Sequence, residues 1–360
     1  MATGSLLLGT RAASRSLAER VRTRPAPLLV GGFLALVVVL VLGIGLGSVW
    51  IAPDQTLAIL VHRLLGIDLG VRWTPAAETI VVDLRLPRVL SAMVVGAGLA
   101  VAGATYQGLL RNPLADPYVL GTASGAALGA AIAVLVPVRT LLFEFGLVNL
   151  LAFAGALLAV WVVLGLSRRE QLAPMTSVLL TGYAIGSLLA AGLAMAMYLS
   201  GAQLRQIFAY LLGSFDGSSW VRVATALPIV AVATIAIGLR ARSLNGLLLG
   251  EESAAHLGVD VVSERRILLL LATLVTAASV AISGLIGFVG LVAPHLVRLV
   301  VGPDARRVLP LSAILGAVLL TTADLGARLL GEIPVGVVTA LIGAPFFVVL
   351  LRRTRSGYEV

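Results

Sequence analysis

The sequence contains no cysteine and no lysine; all 26 of its basic residues are arginine. The first absence excludes disulfides, thiolate nucleophiles and cysteine metal sites. The second excludes a nucleotide-hydrolysing P-loop, whose lysine reaches the β- and γ-phosphates. An ATP motor serving this chain must sit on another polypeptide. Arginine in place of every lysine is read as a coding bias. Charge is also scarce, at 12% of residues against 59% hydrophobic, and aromatics make up 5%. A bilayer core takes about 20 apolar residues of helix to cross, and a chain of 360 residues with this composition is a polytopic membrane protein rather than a soluble domain. The net charge of +9 does not point to nucleic acid, because the arginines are dispersed between apolar runs.

Ten spans are predicted, over 28–50, 89–109, 118–137, 146–166, 175–199, 222–239, 267–285, 286–300, 308–326 and 335–351, the seventh and eighth being the least separable. The fold class is all-α, a single transmembrane helical bundle over 28–352. An arginine-rich tail (1–27) precedes it and a short tail (353–360) follows, with a long external loop at 51–87 and a polar loop at 240–266. The run after Arg11, Arg15, Arg20, Arg22 and Arg24 is too long for a signal-peptide core and is read as a retained first helix. With ten spans both termini share one side, which then holds 18 arginines against 8 opposite, so that side is expected to be cytoplasmic. In the external loop, Asp54 is expected to cap a surface helix with Leu57, Leu60, Val61 and Leu64 on one face. Trp50, Trp73 and Trp220 fall at external boundaries, as interfacial aromatics do.

Gly121, Gly125 and Gly129 recur every four residues, as do Gly182 and Gly186, and are read as helix-packing surfaces. A faint parallel repeat links the segments beginning at Ser124 and Ser312. Span centres hold almost no ionisable groups; Asp324 lies towards an external end, and His295 and Arg298 towards a cytoplasmic one. This offers little to a proton-coupled transporter, which uses midplane carboxylates or histidines, and no nucleophile–base pair or carboxylate cluster marks a membrane enzyme. His62, His256 and His295 are scattered and are read as helix-end or surface residues, so no metal site is expected. Two polar groups remain open. The loop Gly250 to Gly258, with Glu251 and Glu252 opening a short helix between two glycines, suits either a docked helix or a solvated one. Arg85, Arg88 and Arg328, at external helix ends, suit either snorkelling anchors or an electrostatic dock for an acidic partner.

At these residues the chain resembles the FecCD family, permease subunits of type II ATP-binding-cassette importers for iron–siderophore complexes, haem and vitamin B12. The resemblance rests on Leu84-Arg-Leu-Pro-Arg88, Gly96 to Ala104, Gln107 to Gly121, Leu212-Gly-Ser-Phe215 with Trp220, Gly250 to Gly258, Gly287 to Arg298, and Pro334 to Pro345, in that order over most of the chain after residue 80. It implies ten helices with both termini inside, and a pore between two permease copies, a homodimer being expected. It also implies two ATPase subunits below, an external binding protein, and residence in the inner membrane. No cofactor is expected on this chain; ATP and magnesium belong to the partner ATPase. By the same resemblance Gly250, Glu251, Glu252, Ala255, Leu257 and Gly258 form the ATPase-coupling element, Arg85, Arg88 and Arg328 receive the binding protein, and Pro174, Met175, Thr176 and Ser177 form the cytoplasmic gate. At Pro174 and Met175 the chain departs from a hydroxyl-bearing pattern. The fifth and tenth spans are expected to line a smooth cavity, and the cargo is expected to be an iron chelate (ferric siderophore or haem), with cobalamin as the alternative. The rival reading is an ion-coupled secondary transporter working alone.

Overall fold

The computed structural model describes residues 26–47, 49–136, 146–167 and 175–355, with side chains to residue 349. The arginine-rich tail, Arg168, Arg169 and Pro174 lie outside the described residues. Every regular element among those described is helical: α1 (Ala26–Gly45), α2 (Pro53–Leu65), α3 (Pro75–Thr79), α4 (Leu86–Leu109), α5 (Thr122–Leu135), α6 (Leu147–Ser167), α7 (Met175–Leu199), α8 (Leu204–Leu212) and α9 (Trp220–Leu239). There follow α10 (Ala241–Leu248), α11 (Glu251–His256), α12 (Val261–Ser283), α13 (Val289–Val301), α14 (Ala305–Leu329) and α15 (Val335–Arg355). Seven of the apolar helices are long enough to cross a membrane, and α5, α13 and α15 are shorter apolar ones. Each of the ten predicted spans thus falls on an apolar helix, with its ends adjusted, and the described helices are consistent with about ten spans.

The adjustments have local causes. The third span starts at Thr122 rather than 118, because Gly121 sits just before α5 with φ of 80°. Gly121 therefore serves the turn as well as lying against α7, and the ridge within α5 begins at Gly125. The seventh and eighth spans are separated by the non-helical segment from Gly284 to Phe288, where both of those residues have φ of 69°. Backbone inside a membrane must find partners within the protein. Here Ile286 N–H donates to Tyr118 Oη (3.2 Å), which donates to Ile286 O (2.9 Å), and Ser214 N–H donates to Ser283 O (2.9 Å). In the loop over 51–87, Pro53 rather than Asp54 opens α2, since a proline at the first helical position gives up an N–H that has no partner anyway. Ala52 is the cap residue, and the buried face of α2 carries Thr56 and Ile59, leaving Leu57 and Leu64 exposed.

A central column organises the bundle. α4 is buried over nearly its whole length and packs against α14, α12, α13 and α9. Its glycines permit the approach: a Cβ on Gly103 would overlap the Gly290 carbonyl of α13, and one on Gly96 would overlap Gly316 of α14. Between membrane helices there is no hydrophobic driving force, so close backbone contact over small residues takes its place. α5 and α6 meet in the same way, with Gly125 against Gly155 and Gly129 against the Leu151 carbonyl. Gly121 faces Gly182 and Gly186 of α7, at 3.4 Å or more from an added Cβ.

α1, α7 and α15 stand at the rim. α7 leaves Leu180, Tyr183, Leu188 and Tyr198 exposed, and α15 leaves Leu341 and Ile342 exposed.

Gly129→Leu should lower the stability of the purified chain by about 2–3 kcal/mol through overpacking. Gly165→Leu, in the same pair of helices and with no described atom within 4 Å of its added Cβ, should leave it unchanged. Thermal unfolding in detergent separates the two; equal effects would remove the packing account.

Candidate functional site

At one end of the bundle three arginines converge on the end of α1. The last four carbonyls of a helix lack intrahelical partners, and α1 ends in glycines with no cationic residue in its own last turn. Two guanidiniums from elsewhere in the chain take that place. Arg85 Nη1 donates to Ile44 O and Gly45 O (both 2.9 Å) and its Nη2 donates to Val49 O. Arg328 Nη2 donates to Gly43 O (2.9 Å) and its Nη1 to Leu46 O (3.3 Å). Arg85 closes a single π-helical turn, Ile80–Arg85, in which Leu86 N–H reaches Val81 O before Pro87 enters α4 without an N–H to give.

The charge is gathered on Asp324, whose side chain is 0% exposed. Arg88 Nε donates to both of its oxygens (3.0 and 3.2 Å), and Arg328, one turn along α14, places Nε 3.2 Å from Oδ2. Arg88 Nη1 also donates to Asp216 Oδ1 at 2.7 Å, and Asp216 is 61% exposed. Asp216 lies in the loop between α8 and α9, whose Phe215 is fully buried. Above the cluster is a hollow of about 520 Å³ lined by Gly47, Leu84, Arg85, Arg88, Asp216 and Glu332 among others. Arg85 and Arg328 are buried and hold α1, and Arg88 links the buried carboxylate to the exposed one.

At the opposite end, α10, α11 and the start of α12 form a compact polar unit. Gly250 (φ 110°) and Gly258 (φ 81°) turn the chain on either side of α11. Ala254 is its buried anchor, while Glu252, Ala255 and Leu257 face outward, Leu257 being 65% exposed. Glu251 Oε1 accepts from Arg265 Nη1 at 2.9 Å, fixing α11 to α12. Asn245 of α10 donates to Asp304 Oδ1 (2.7 Å) and accepts from Ala305 N–H (2.7 Å), fixing α10 to the start of α14. Burial would raise the Asp304 carboxyl, but the Asn245 amide, the Arg306 N–H and the charges of Arg306 and Arg307 together hold it below the usual carboxylate range. An added Cβ at Gly250 would lie 3.5 Å from the Arg111 guanidinium, which places the loop after α4 beside α11.

A helical membrane bundle with one polar cluster at each end is matched by the FecCD transport family over residues 35–353. The chain belongs to that family. It is 47% identical to the cobalamin import system permease protein BtuC of Halobacterium salinarum over 277 residues, 77% of this chain and 74% of that one. It is 43% identical to the hemin transport system permease protein HmuU of Yersinia pestis, over 76% of this chain and 83% of that one. It also resembles a solved structure described as an inward-facing conformation of a metal-chelate type ABC transporter, with a TM-score of 0.76 and 32% identity over 91% of this chain and 99% of that one. The protein is therefore a multi-pass membrane permease of an ABC importer, which works with ATPase and binding-protein partners and is not itself an enzyme.

Two FecCD segments, around Gln107 and Arg298, meet in a contact that the sequence did not reveal. Pro294 inside α13 cannot donate to the Gly290 carbonyl four residues earlier. Gln107 Nε2 approaches that carbonyl (3.5 Å) and donates to Leu291 O (3.3 Å), while Arg298 Nη1 donates to Gln107 Oε1 and Nη2 to Ala104 O (3.0 Å). Of the expected gate residues, Pro174 is outside the described residues; Met175 is half-buried against the core, Thr176 exposed and Ser177 half-buried at the start of α7. The histidines stay apart: His62 stacks near Trp73, His256 is exposed on α11, and His295 lies edge-on to Phe346. Asp324 and Asp216 are the members of this cluster that the sequence did not tie to the arginines. The spacing of Asp324 and Arg328, four apart on one helix, was the available signal.

Removing the buried carboxylate takes from two mostly buried guanidiniums their shared counterion, and breaking a buried pair costs about 3–5 kcal/mol. Asp324→Ala should therefore lose the folded monodisperse protein or lower its unfolding midpoint strongly. Asp216→Ala, at an exposed pair worth about 0–1 kcal/mol, should change the midpoint little. Equal effects in a thermal scan would refute the ranking.

Proposed function

We propose that the protein forms the translocation pathway of an importer for a bulky metal chelate, with cobalamin as the first cargo and haem or a ferric siderophore as the second. The family match over residues 35–353 carries this reading. The order of cargoes is supported by the 47% identity to a cobalamin permease against 43% to a hemin permease. In this reading the end bearing α11 faces the cytoplasm, in keeping with the arginine count, and both termini lie there. A second copy packs across the exposed faces of α7 and α15, so that the pore runs between two permeases. An apolar wall suits a cargo that must pass without sticking, and selection falls to the external binding protein.

The two polar ends take separate roles. The hollow over Arg88 and Asp216 receives an acidic surface of the binding protein, where charge pairs at a wet rim speed encounter more than they add affinity. Arg85 and Arg328 act there through the position of α1. At the other end, Glu251, Glu252, Ala255 and Leu257, set between Gly250 and Gly258, are offered to an ATPase subunit. Its closure pushes on α11 and, through Arg265 and Asn245, on α12 and α14. Met175, Thr176 and Ser177, with Pro174, form the gate below the cavity.

Proteoliposomes holding this chain with its ATPase and binding protein should take up cobalamin, haem or a ferric siderophore only with ATP. Uptake driven by an ion gradient without the ATPase would overturn the reading. A variant carrying Glu252→Pro and Ala255→Pro should keep the bundle assembled and ATP hydrolysis running while uptake falls to background; normal coupled uptake would remove α11 from the mechanism. Arg88→Glu should weaken binding-protein capture about tenfold or more at low salt, with the loss shrinking as salt screens the rim. Salt-independent capture equal to wild type would return Arg88 to a structural role.

A further inference from the structure

The hollow between α4, α14 and the loop after α8 already holds a carboxylate of the chain itself on its outward guanidinium edge. Arg85 and Arg328 give their Nη groups to carbonyls at and just after the end of α1. Arg88 lays Nε and Nη2 along Asp324, with Nη2 2.9 Å from Oδ1. Its Nη1 turns outward, and there Asp216 meets it at 2.7 Å. Among the described residues, this is the bond by which the three arginines reach a solvent-exposed carboxylate. A guanidinium presents its nitrogens in a fixed planar fork, so a carboxylate arriving through the hollow competes with Asp216 for the same edge.

Charge leads to the same point. The hollow is lined by Arg85, Arg88 and Arg328 together with Asp216 and Glu332, and Asp324 lies against Arg88. Three guanidiniums face three carboxylates, so with Asp216 in place the hollow has no net charge with which to draw an acidic partner. Taking Asp216 out of the wall turns it cationic.

The backbone around Asp216 is fixed. Phe215 is fully buried, Asp216 N–H donates to Ser214 Oγ (3.0 Å), and Ser218 Oγ donates to Phe215 O (2.7 Å). On the other side of the residue stands Arg222, whose Nη1 approaches Asp216 O (3.5 Å) and which has no carboxylate partner among the described residues. Gly217 leaves the space between them open: the three atoms nearest to a Cβ added there belong to the Arg222 guanidinium, at 3.7 Å and beyond.

We propose that Asp216 is an intramolecular placeholder for a carboxylate of the docking protein. In the free permease it satisfies Arg88; on docking, the partner's carboxylate takes Nη1 and the Asp216 side chain turns to Arg222. Arg88 keeps its place through the exchange because its other edge is held by Asp324. Docking therefore strands no charge, and it stays reversible because Asp216 competes for Arg88 again as the partner leaves. The exchange rests on the reading of the hollow as the dock for the binding protein, and adds to it a residue that opposes docking.

The test is capture of the purified binding protein by the full-length permease in lipid nanodiscs, followed by surface plasmon resonance at low and high salt. Asp216→Ala, expected above to change stability little, should tighten capture about tenfold at low salt, with the gain shrinking as salt screens it. Asp216→Asn, which keeps an acceptor for Arg88 but loses the charge, should fall between wild type and Asp216→Ala. Arg222→Gln should weaken capture by wild type and have no effect in the Asp216→Ala background, where no carboxylate is displaced. A binding protein whose surface carboxylates have been amidated should lose the gain that Asp216→Ala gives. Capture unchanged or weakened by Asp216→Ala, while Arg88→Glu still weakens it, would overturn the exchange and leave the dock in place. An Arg222→Gln loss that persists without Asp216, or a gain that survives amidation of the partner, would overturn it equally. If neither Arg88→Glu nor Asp216→Ala alters capture, the hollow is not the dock and both readings fall together.

Discussion

Close backbone contact around α4 is the constraint on which the rest of the bundle depends. A helix buried on all sides in a membrane cannot be held by expulsion of water, because the lipid surrounding the bundle is as apolar as its core. Gly96 and Gly103 bring the α4 backbone within reach of α14 and α13, and the dispersion contacts this allows are individually small and collectively large. From this column the remaining helices take their places: α12 and α9 on its flanks, α1 against α14, and the α5–α6 pair on α12. The same closeness lets a side chain on α4 act on its neighbour. Gln107 reaches the α13 carbonyls left by Pro294 because Gly103, one turn away, has already brought the two backbones together.

The two ends of the bundle solve one problem in opposite ways. Helix termini leave backbone groups without partners, and in a membrane these must be satisfied by protein. At the hollow end the solution is charged and buried: Asp324 is an internal counterion, and Arg85 and Arg328 spend their guanidiniums on carbonyls of α1. At the α11 end it is polar and open to solvent, with Asp260 and Asp304 as caps and Asn245 and Arg265 as ties between short helices. Burial gives the first end a fixed geometry. The second holds α11 by one buried alanine and by the Glu251–Arg265 pair.

The sequence made the helices legible because length and hydropathy are local properties. Ten apolar runs became ten apolar helices, and the loop between Gly250 and Gly258 became the short helix expected of it. What it concealed was where local rules compete. Asp54 is a good cap, yet Pro53 beside it is a better first residue, and the helix took the proline. Gly121 has the spacing of a ridge, but a left-handed turn claimed it first. The arginines at 85, 88 and 328 were legible as a group at helix ends; most of their partners were not, because the carboxylates on Arg88 lie 128 and 236 residues away and the α1 carbonyls lie about 40 residues from Arg85 and 285 from Arg328. A charge at a helix end looks the same in sequence whether it faces water or a buried carboxylate.

The capping of α1 also has a consequence for how the chain is made. α1 is made before the residues that close it: its terminal carbonyls are bound by Arg85, just before α4, and by Arg328, 285 residues after Gly43. Between the synthesis of these two arginines the end of α1 is half finished, held by one guanidinium and lacking the other. The nascent protein thus carries an open seam at α1 until α14 has entered the membrane, and the bundle closes as a ring in which a later helix completes an earlier one.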